Sequence, residues 1–218
     1  MRFWVKTHYL IKVIFSKYVW DVINNENKVF LTFDDGPTPD ITEWTLDLLK
    51  KHNAEATFFC IGNNIEKHPK IFHKIIQAGH SVGNHTLSHV NGWKTRSSNY
   101  IENTNLCQFI INKHLLQNQN SKPETCNLFR PPYGKIKPSQ SKILRKLGFK
   151  IIMWDIISFD FDVAVSQKQC LENVLKNVKS GSIIVFHDSV KATQNLKYAL
   201  PKTLEFFKEK GFVCSKIK

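Results

Sequence analysis

The 218-residue sequence predicts an α/β fold with parallel strands, arranged as layers or as a barrel, and three observations carry that expectation. Short β-type apolar runs alternate with segments of helical periodicity, the arrangement that gives crossover connections and parallel pairing. The run "GSIIVF" at 181–186 is apolar almost throughout, as suits a strand covered on both faces. Polar clusters (Asp34-Asp35, Asn84-His85, Arg130, Asp155 to Asp160 and His187-Asp188) stand at or just after the C-terminal ends of apolar runs. That edge is where parallel α/β folds bind their ligands.

The elements follow in order. "KVFLTF" reads as a strand, and "TPDITEWTLDLLKKH" spaces Ile41, Trp44, Leu48 and Leu49 as a helix does. "EATFFCIG" is the next strand and "HPKIFHKIIQAGH" the next helix, with Gly79 as its stop. "SVGNHT" is a short strand running into a loop, followed by a polar helix over 97–117. Beyond the proline-rich "FRPPYG" come the helix "KPSQSKILRKLG", the strand "FKIIMWDI" and a helix over 167–178. The strand "GSIIVFHD", the helix "TQNLKYALPKTLEFFKEKG" and a final strand "FVCSKI" complete the chain.

Length and composition suit one domain with a substantial core, since 42% of residues are hydrophobic and 22% charged. The net charge of +13 comes from scattered lysines without a basic block or nucleic-acid motif, so no nucleic-acid partner is expected. Five cysteines (Cys60, Cys107, Cys126, Cys170 and Cys214) contain no CxxC pair, which argues against a disulfide framework or a cysteine zinc site.

Residues 1–20, "MRFWVKTHYLIKVIFSKYVW", are set apart from a catalytic domain over 21–218. Lys6, Lys12 and Lys17 interrupt the apolar residues, so neither a signal-peptide core nor a membrane span is recognisable. The segment reads as a helix across the domain's bottom with its lysines in water, or as a contact with an anionic membrane surface. A cytoplasmic or membrane-peripheral location is the matching expectation.

Two adjacent carboxylates, Asp34 and Asp35, at a strand end repel one another unless solvent or a cation intervenes. His85 and His89 are four residues apart, a spacing that converges two imidazoles on one helix face or in a tight loop. Two imidazoles with one carboxylate form a zinc-type set with positions left for water and substrate. HxxxH and DD are each common without metal, on helix surfaces and in solvated turns. Taken together, a cation explains why the carboxylates adjoin. By contrast His52, His68, His73, His80 and His114 fall in no such constellation.

In order and spacing, "TFDDGP", "HTLSH", "RPPYG" and "IIVFHD" resemble the motifs of the metal-dependent polysaccharide deacetylases, which include chitin, chitooligosaccharide and peptidoglycan N-acetylglucosamine deacetylases. The resemblance runs from about Lys28 to the C-terminus. It implies a distorted (β/α) barrel with fewer than eight regular repeats, and hydrolysis of acetyl groups from the N-acetylated sugars of a glycan. It implies one divalent ion on Asp35, His85 and His89, with zinc foremost and cobalt, nickel or manganese as alternatives. It makes Asp34 the base toward metal-bound water, Arg130 the group that orients Asp34, and His187 the acid. Pro132 and Tyr133 become a groove wall, with the Tyr133 N–H facing the oxyanion.

The chain departs from the family pattern at one motif. Many relatives carry Asp-x-x-Asp-Trp, where "WDIISFDFD" here has Ile157, Asp160 and Phe161 at those places. An imidazole acid needs a partner to hold its tautomer and charge; Asp160 is assigned, with Asp155 the alternative. Trp154 is assigned to the pocket for the acetyl methyl, opposite Ile184. Two other readings stay open: an O-acetyl esterase acting on a polysaccharide, and a non-catalytic glycan-binding or membrane-surface relative.

Overall fold

The computed structural model describes residues 4–117 and 127–218, so Cys126 lies outside the described residues. Seven parallel strands form one sheet in the order β5-β4-β3-β2-β1-β7-β6. They are β1 (Lys28–Asp34), β2 (Ala56–Cys60), β3 (Ser81–Asn84), β4 (Leu128–Phe129), β5 (Lys150–Ile151), β6 (Ile156–Ile157) and β7 (Ile183–His187). An eighth, β8 (Val213–Cys214), runs parallel beside the start of β1. The helices are α1 (Tyr9–Ile14), α2 (Ile41–Lys51), α3 (Gly62–Lys67), α4 (Pro69–Gln77), α5 (Ser97–Gln117), α6 (Pro138–Lys146), α7 (Gln167–Leu175) and α8 (Thr193–Glu209).

The strand expected over "FKIIMWDI" divides in two, and that division makes the barrel. Its first half, β5, pairs with β4, and its second half, β6, pairs with β7. The two edges of the sheet are therefore successive pieces of one extended run, and the sheet must curl to let that run serve both. Helix α3 and strand β4 were not foreseen. Six residues are too few to show a helical period, and two residues too few to show alternation.

Alternation along the strands sorts the core. Leu31 and Phe33 point outward with Phe58, Ile184 and Phe186 toward Leu196, Leu200 and Phe207 of α8. Phe30 and Ile183 point inward, with Phe59, Leu128 and Ile152. By the same period of two, Thr32 and Asp34 follow Phe30 into the interior, and His187 follows Ile183 and Val185. The pairing of Trp154 with Ile184 is corrected here. Trp154 packs with Val185 and Ile157, while Ile184 lies one residue out of phase, on the helix side.

Residues 4–22 are stitched into the seam between β5 and β6. Val19 N–H donates to Ile151 O at 2.9 Å, Thr7 N–H to Asp155 O at 2.8 Å, and Val22 N–H to Gly181 O at 2.9 Å. The expectation that the lysines stay in water fails for two of them. Lys12 and Lys6 set their Nζ atoms 2.6 Å and 3.1 Å from the carboxylate of the fully buried Asp155, which also accepts from Ser182 Oγ at 2.7 Å. A buried carboxylate is costly without countercharge, and these ammonium groups supply it. Lys17 alone of the three is exposed. Tyr9, Leu10, Val13 and Ile14 of α1 are exposed, as is Trp4. No described helix is long and apolar enough to cross a membrane.

Candidate active site

The C-terminal ends of the strands lie level, because Asp34 is the register partner of His187 on β7 and Cys60 that of Asn84 on β3. Loops leaving those ends carry the polar residues toward one another. Several adopt the left-handed region that non-glycine residues seldom enter, with φ of +81° at Asp35, +65° at Thr86, +54° at His89 and +60° at Tyr133. Such conformations persist only where surrounding contacts hold them, and they collect at functional sites.

Asp35 turns its Oδ1 toward both imidazoles, 3.3 Å from His89 Nε2 and 3.7 Å from His85 Nε2. That oxygen is buried and accepts no hydrogen bond. An orphaned buried carboxylate oxygen needs compensation, and the three ligand atoms lie within 4.8 Å of one another. His85 donates from Nδ1 to the Arg130 carbonyl at 2.8 Å, because that oxygen can only accept. Its Nε2 is thereby left unprotonated. Burial lowers the pKa of His85 to about 4, and burial also lowers that of His89, so both rings are neutral as metal ligands must be. The donor set and the orphaned oxygen fit a divalent cation.

Asp34 is buried beside them. Arg130, itself fully buried, donates from one guanidinium nitrogen to Asp34 Oδ1 and to Thr32 Oγ1, each at 2.7 Å. Its other donors reach Met153 O at 2.9 Å and Ile152 O at 3.3 Å, and its Cζ lies 4.2 Å from the Phe59 ring centre. Burial alone would raise the Asp34 pKa; the charge of Arg130, aided by that of His187, more than reverses this and holds it below the usual carboxylate range.

His187 faces Asp34 from β7. Asp160 Oδ1 lies 2.8 Å from His187 Nδ1, and Asp160 Oδ2 accepts the His187 backbone N–H at 2.7 Å. Burial would lower the imidazole pKa, but Asp160 outweighs it and lifts the value to about 9. Phe161 meets the same imidazole edge-on with ring centres 4.8 Å apart. The alternative partner, Asp155, is held by Lys6, Lys12 and Ser182 beside the start of β7. His187 lies five residues beyond Ser182, roughly 16 Å away at about 3.3 Å per residue.

Of the groove residues, Tyr133 is 61% exposed, whereas Pro132 is buried and presents no open face. Trp154 is half-buried and lies against Gly134, where an added Cβ would come 2.7 Å from the indole. Two contributors were given no role from the sequence, although Asp188 stands in the His187-Asp188 cluster. Asp188 accepts from Gly36 N–H at 3.1 Å and from Thr42 Oγ1 at 2.5 Å, bracing the turn that carries Asp35; burial pushes its pKa up to about 8 despite those bonds. The only signal for it was the aspartate directly after His187 in "IIVFHD". The second is the Tyr133 hydroxyl, 3.1 Å from His89 Nδ1, for which no sequence signal exists.

Comparison with known proteins places the sequence and the fold beside known families. A family model described as polysaccharide deacetylase matches residues 21–152. A peptidoglycan-N-acetylglucosamine deacetylase of Bacillus cereus is 34% identical over 194 residues, covering 88% of this chain and 87% of that protein. A chitooligosaccharide deacetylase of Azorhizobium caulinodans is 29% identical over 172 residues, covering 77% and 76%. Among solved structures, the Bc1960 peptidoglycan N-acetylglucosamine deacetylase in complex with 4-naphthalen-1-yl-N-oxidanyl-benzamide superposes with a TM-score of 0.85 at 33% identity, covering 97% of this chain and 95% of that one. With a family model spanning more than half its length and a relative 34% identical over 88% of it, this chain belongs to the polysaccharide deacetylase family.

Proposed function

We propose that the chain removes the acetyl group from N-acetylglucosamine residues of a peptidoglycan- or chitin-like glycan, releasing acetate and leaving a free amine. The observation that carries the reading is the orphaned Asp35 Oδ1 between two neutral imidazoles, flanked by Asp34 and His187 in opposite charge states. Asp35, His85 and His89 would hold a divalent cation, with zinc favoured by the ligand types. Bound there, the cation supplies Lewis acidity, polarising a carbonyl and bringing the pKa of water near 7.

The remaining work falls to the protein's own groups. Asp34 is ionised at neutral pH, and its Oδ2, the oxygen not held by Arg130, is the proton acceptor toward the attacking water. Arg130 fixes the rotamer of Asp34. His187 is protonated, its Nδ1–H occupied by Asp160, so its Nε2 proton is the one given to the departing nitrogen as the C–N bond breaks. The Tyr133 backbone N–H faces the developing oxyanion, and Tyr133 with Trp154 borders the acetyl group. Acetate release from N-acetylchitooligosaccharides and peptidoglycan fragments is expected to fall to background in excess chelator and to return with zinc or cobalt. Release indifferent to the chelator would overturn the reading, and release from acetylated xylan alone would assign the site to ester hydrolysis.

A second part of the proposal concerns α1, whose exposed Tyr9, Leu10, Val13 and Ile14 rest on an anionic lipid surface. The apolar face and the +13 net charge support it. The protein is expected to pellet with phosphatidylglycerol vesicles, and the L10S/I14S double variant to pellet severalfold less. Equal pelleting of the two proteins, or dimerisation of the wild type without lipid, would refute that contact.

A further inference from the structure

Both imidazoles beside Asp35 are oriented by one four-residue stretch, Arg130 to Tyr133. His85 meets a backbone carbonyl of that stretch, an acceptor that cannot change its role. His89 meets a side chain instead. Its Nδ1 lies 3.1 Å from the Tyr133 hydroxyl, and the two ring centres are 4.6 Å apart. A histidine that binds metal through one nitrogen usually donates its other N–H to a fixed acceptor, which sets the tautomer and the ring angle. Here that acceptor is a phenol with a proton of its own to give.

The backbone turn that carries the phenol is held firmly. Tyr133 sits at φ +60° and ψ 9°, and the turn around it is closed by Gly134 N–H to Pro131 O and Lys135 N–H to Pro132 O, each at 3.0 Å. Gly134 is pressed against Trp154. Yet the Tyr133 side chain is 61% exposed, and among the described residues His89 is the one hydrogen-bond partner of its hydroxyl. With Nδ1–H donating into the phenol oxygen, the hydroxyl hydrogen is directed to whatever occupies the groove.

We propose that the Tyr133 hydroxyl is a positioning group that fixes His89 with Nε2 open toward the cation, and that it simultaneously donates to an oxygen of the bound sugar. The inference rests on the cation reading above. Glycan and cation binding are then coupled through a single oxygen atom: a sugar acceptor polarises the phenol and strengthens its hold on His89. Such coupling is reciprocal, so an oligosaccharide tightens the metal as much as the metal tightens the oligosaccharide.

The Tyr133→Phe variant keeps the ring and the backbone conformation and deletes only the hydroxyl. Zinc affinity is measured by competition with a chromogenic chelator, with and without tri-N-acetylchitotriose. The variant is expected to bind zinc about 10- to 100-fold more weakly than wild type. The wild type is expected to bind zinc more tightly with the sugar present, and the variant to lose that gain. The metal-free melting temperature should be the same in both, which separates this effect from damaged packing. Equal zinc affinity in the two proteins would overturn the positioning role. A sugar-linked gain that is absent from the wild type, or kept by the variant, would overturn the groove contact. A wild type that binds no zinc at all would instead bring down the cation reading itself.

Discussion

Asp34→Asn is expected to lower the turnover number for acetate release by about 10²- to 10⁴-fold, the contribution of a positioned proton acceptor. The side chain keeps its shape, so the loss reports chemistry before architecture. Asp34 is ionised because Arg130 stands 2.7 Å from its Oδ1 and overrides the cost of burial; an amide in its place takes up no proton at any accessible pH. The substitution also leaves a fully buried guanidinium without its anion. Removing one partner of a buried pair costs on the order of 3–5 kcal/mol, and the amide oxygen, with Thr32, Ile152 and Met153 still accepting, recovers part of it. Urea unfolding should therefore show a modest fall in midpoint, while zinc binding persists. A variant retaining more than about a tenth of wild-type turnover would move the proton acceptor elsewhere.

The second large effect separates two aspartates five residues apart in sequence. Asp160→Asn removes the charge that lifts the His187 pKa to about 9, so the alkaline limb of the rate profile should move down toward the ordinary histidine value near 6.5. Turnover near pH 9 should fall about 10²-fold, and by less at neutral pH, since an unprotonated imidazole cannot supply the leaving nitrogen. Stability follows the same group. With a folded pKa above the unfolded one, His187 contributes stability that is fully present below about pH 6.5 and lost as pH rises through about 9. Melting temperature should thus decline across that window in the wild type and flatten in Asp160→Asn.

Asp155→Asn should do the reverse, leaving turnover within about threefold and lowering stability by about 3 kcal/mol, because Lys12 and Lys6 lose a buried carboxylate. Equal, mild losses of turnover in both variants, with an unmoved alkaline limb, would refute the pairing of Asp160 with His187.

Much of this protein was legible in one dimension. Strand and helix periods laid out the parallel sheet, and the long helix over 97–117 has the bounds its polarity suggested. The motifs singled out Asp34, Asp35, His85, His89, Arg130 and His187, and the structure brings them together because loops at one edge of a parallel sheet converge whatever their separation in the chain. What spacing could not decide was which group faces which through space. Asp155 and Asp160 lie on one extended run that crosses from β4 to β7, so five residues carry one carboxylate to the base of the barrel and the other to its rim. Lys6 and Lys12 read as solvated until a buried anion became their neighbour. The Tyr133 hydroxyl meets His89 only because the Arg130–Tyr133 turn folds over it. Local pattern specifies the face on which a side chain emerges, while its partner is chosen by the curl of the sheet, a property of all the strands together.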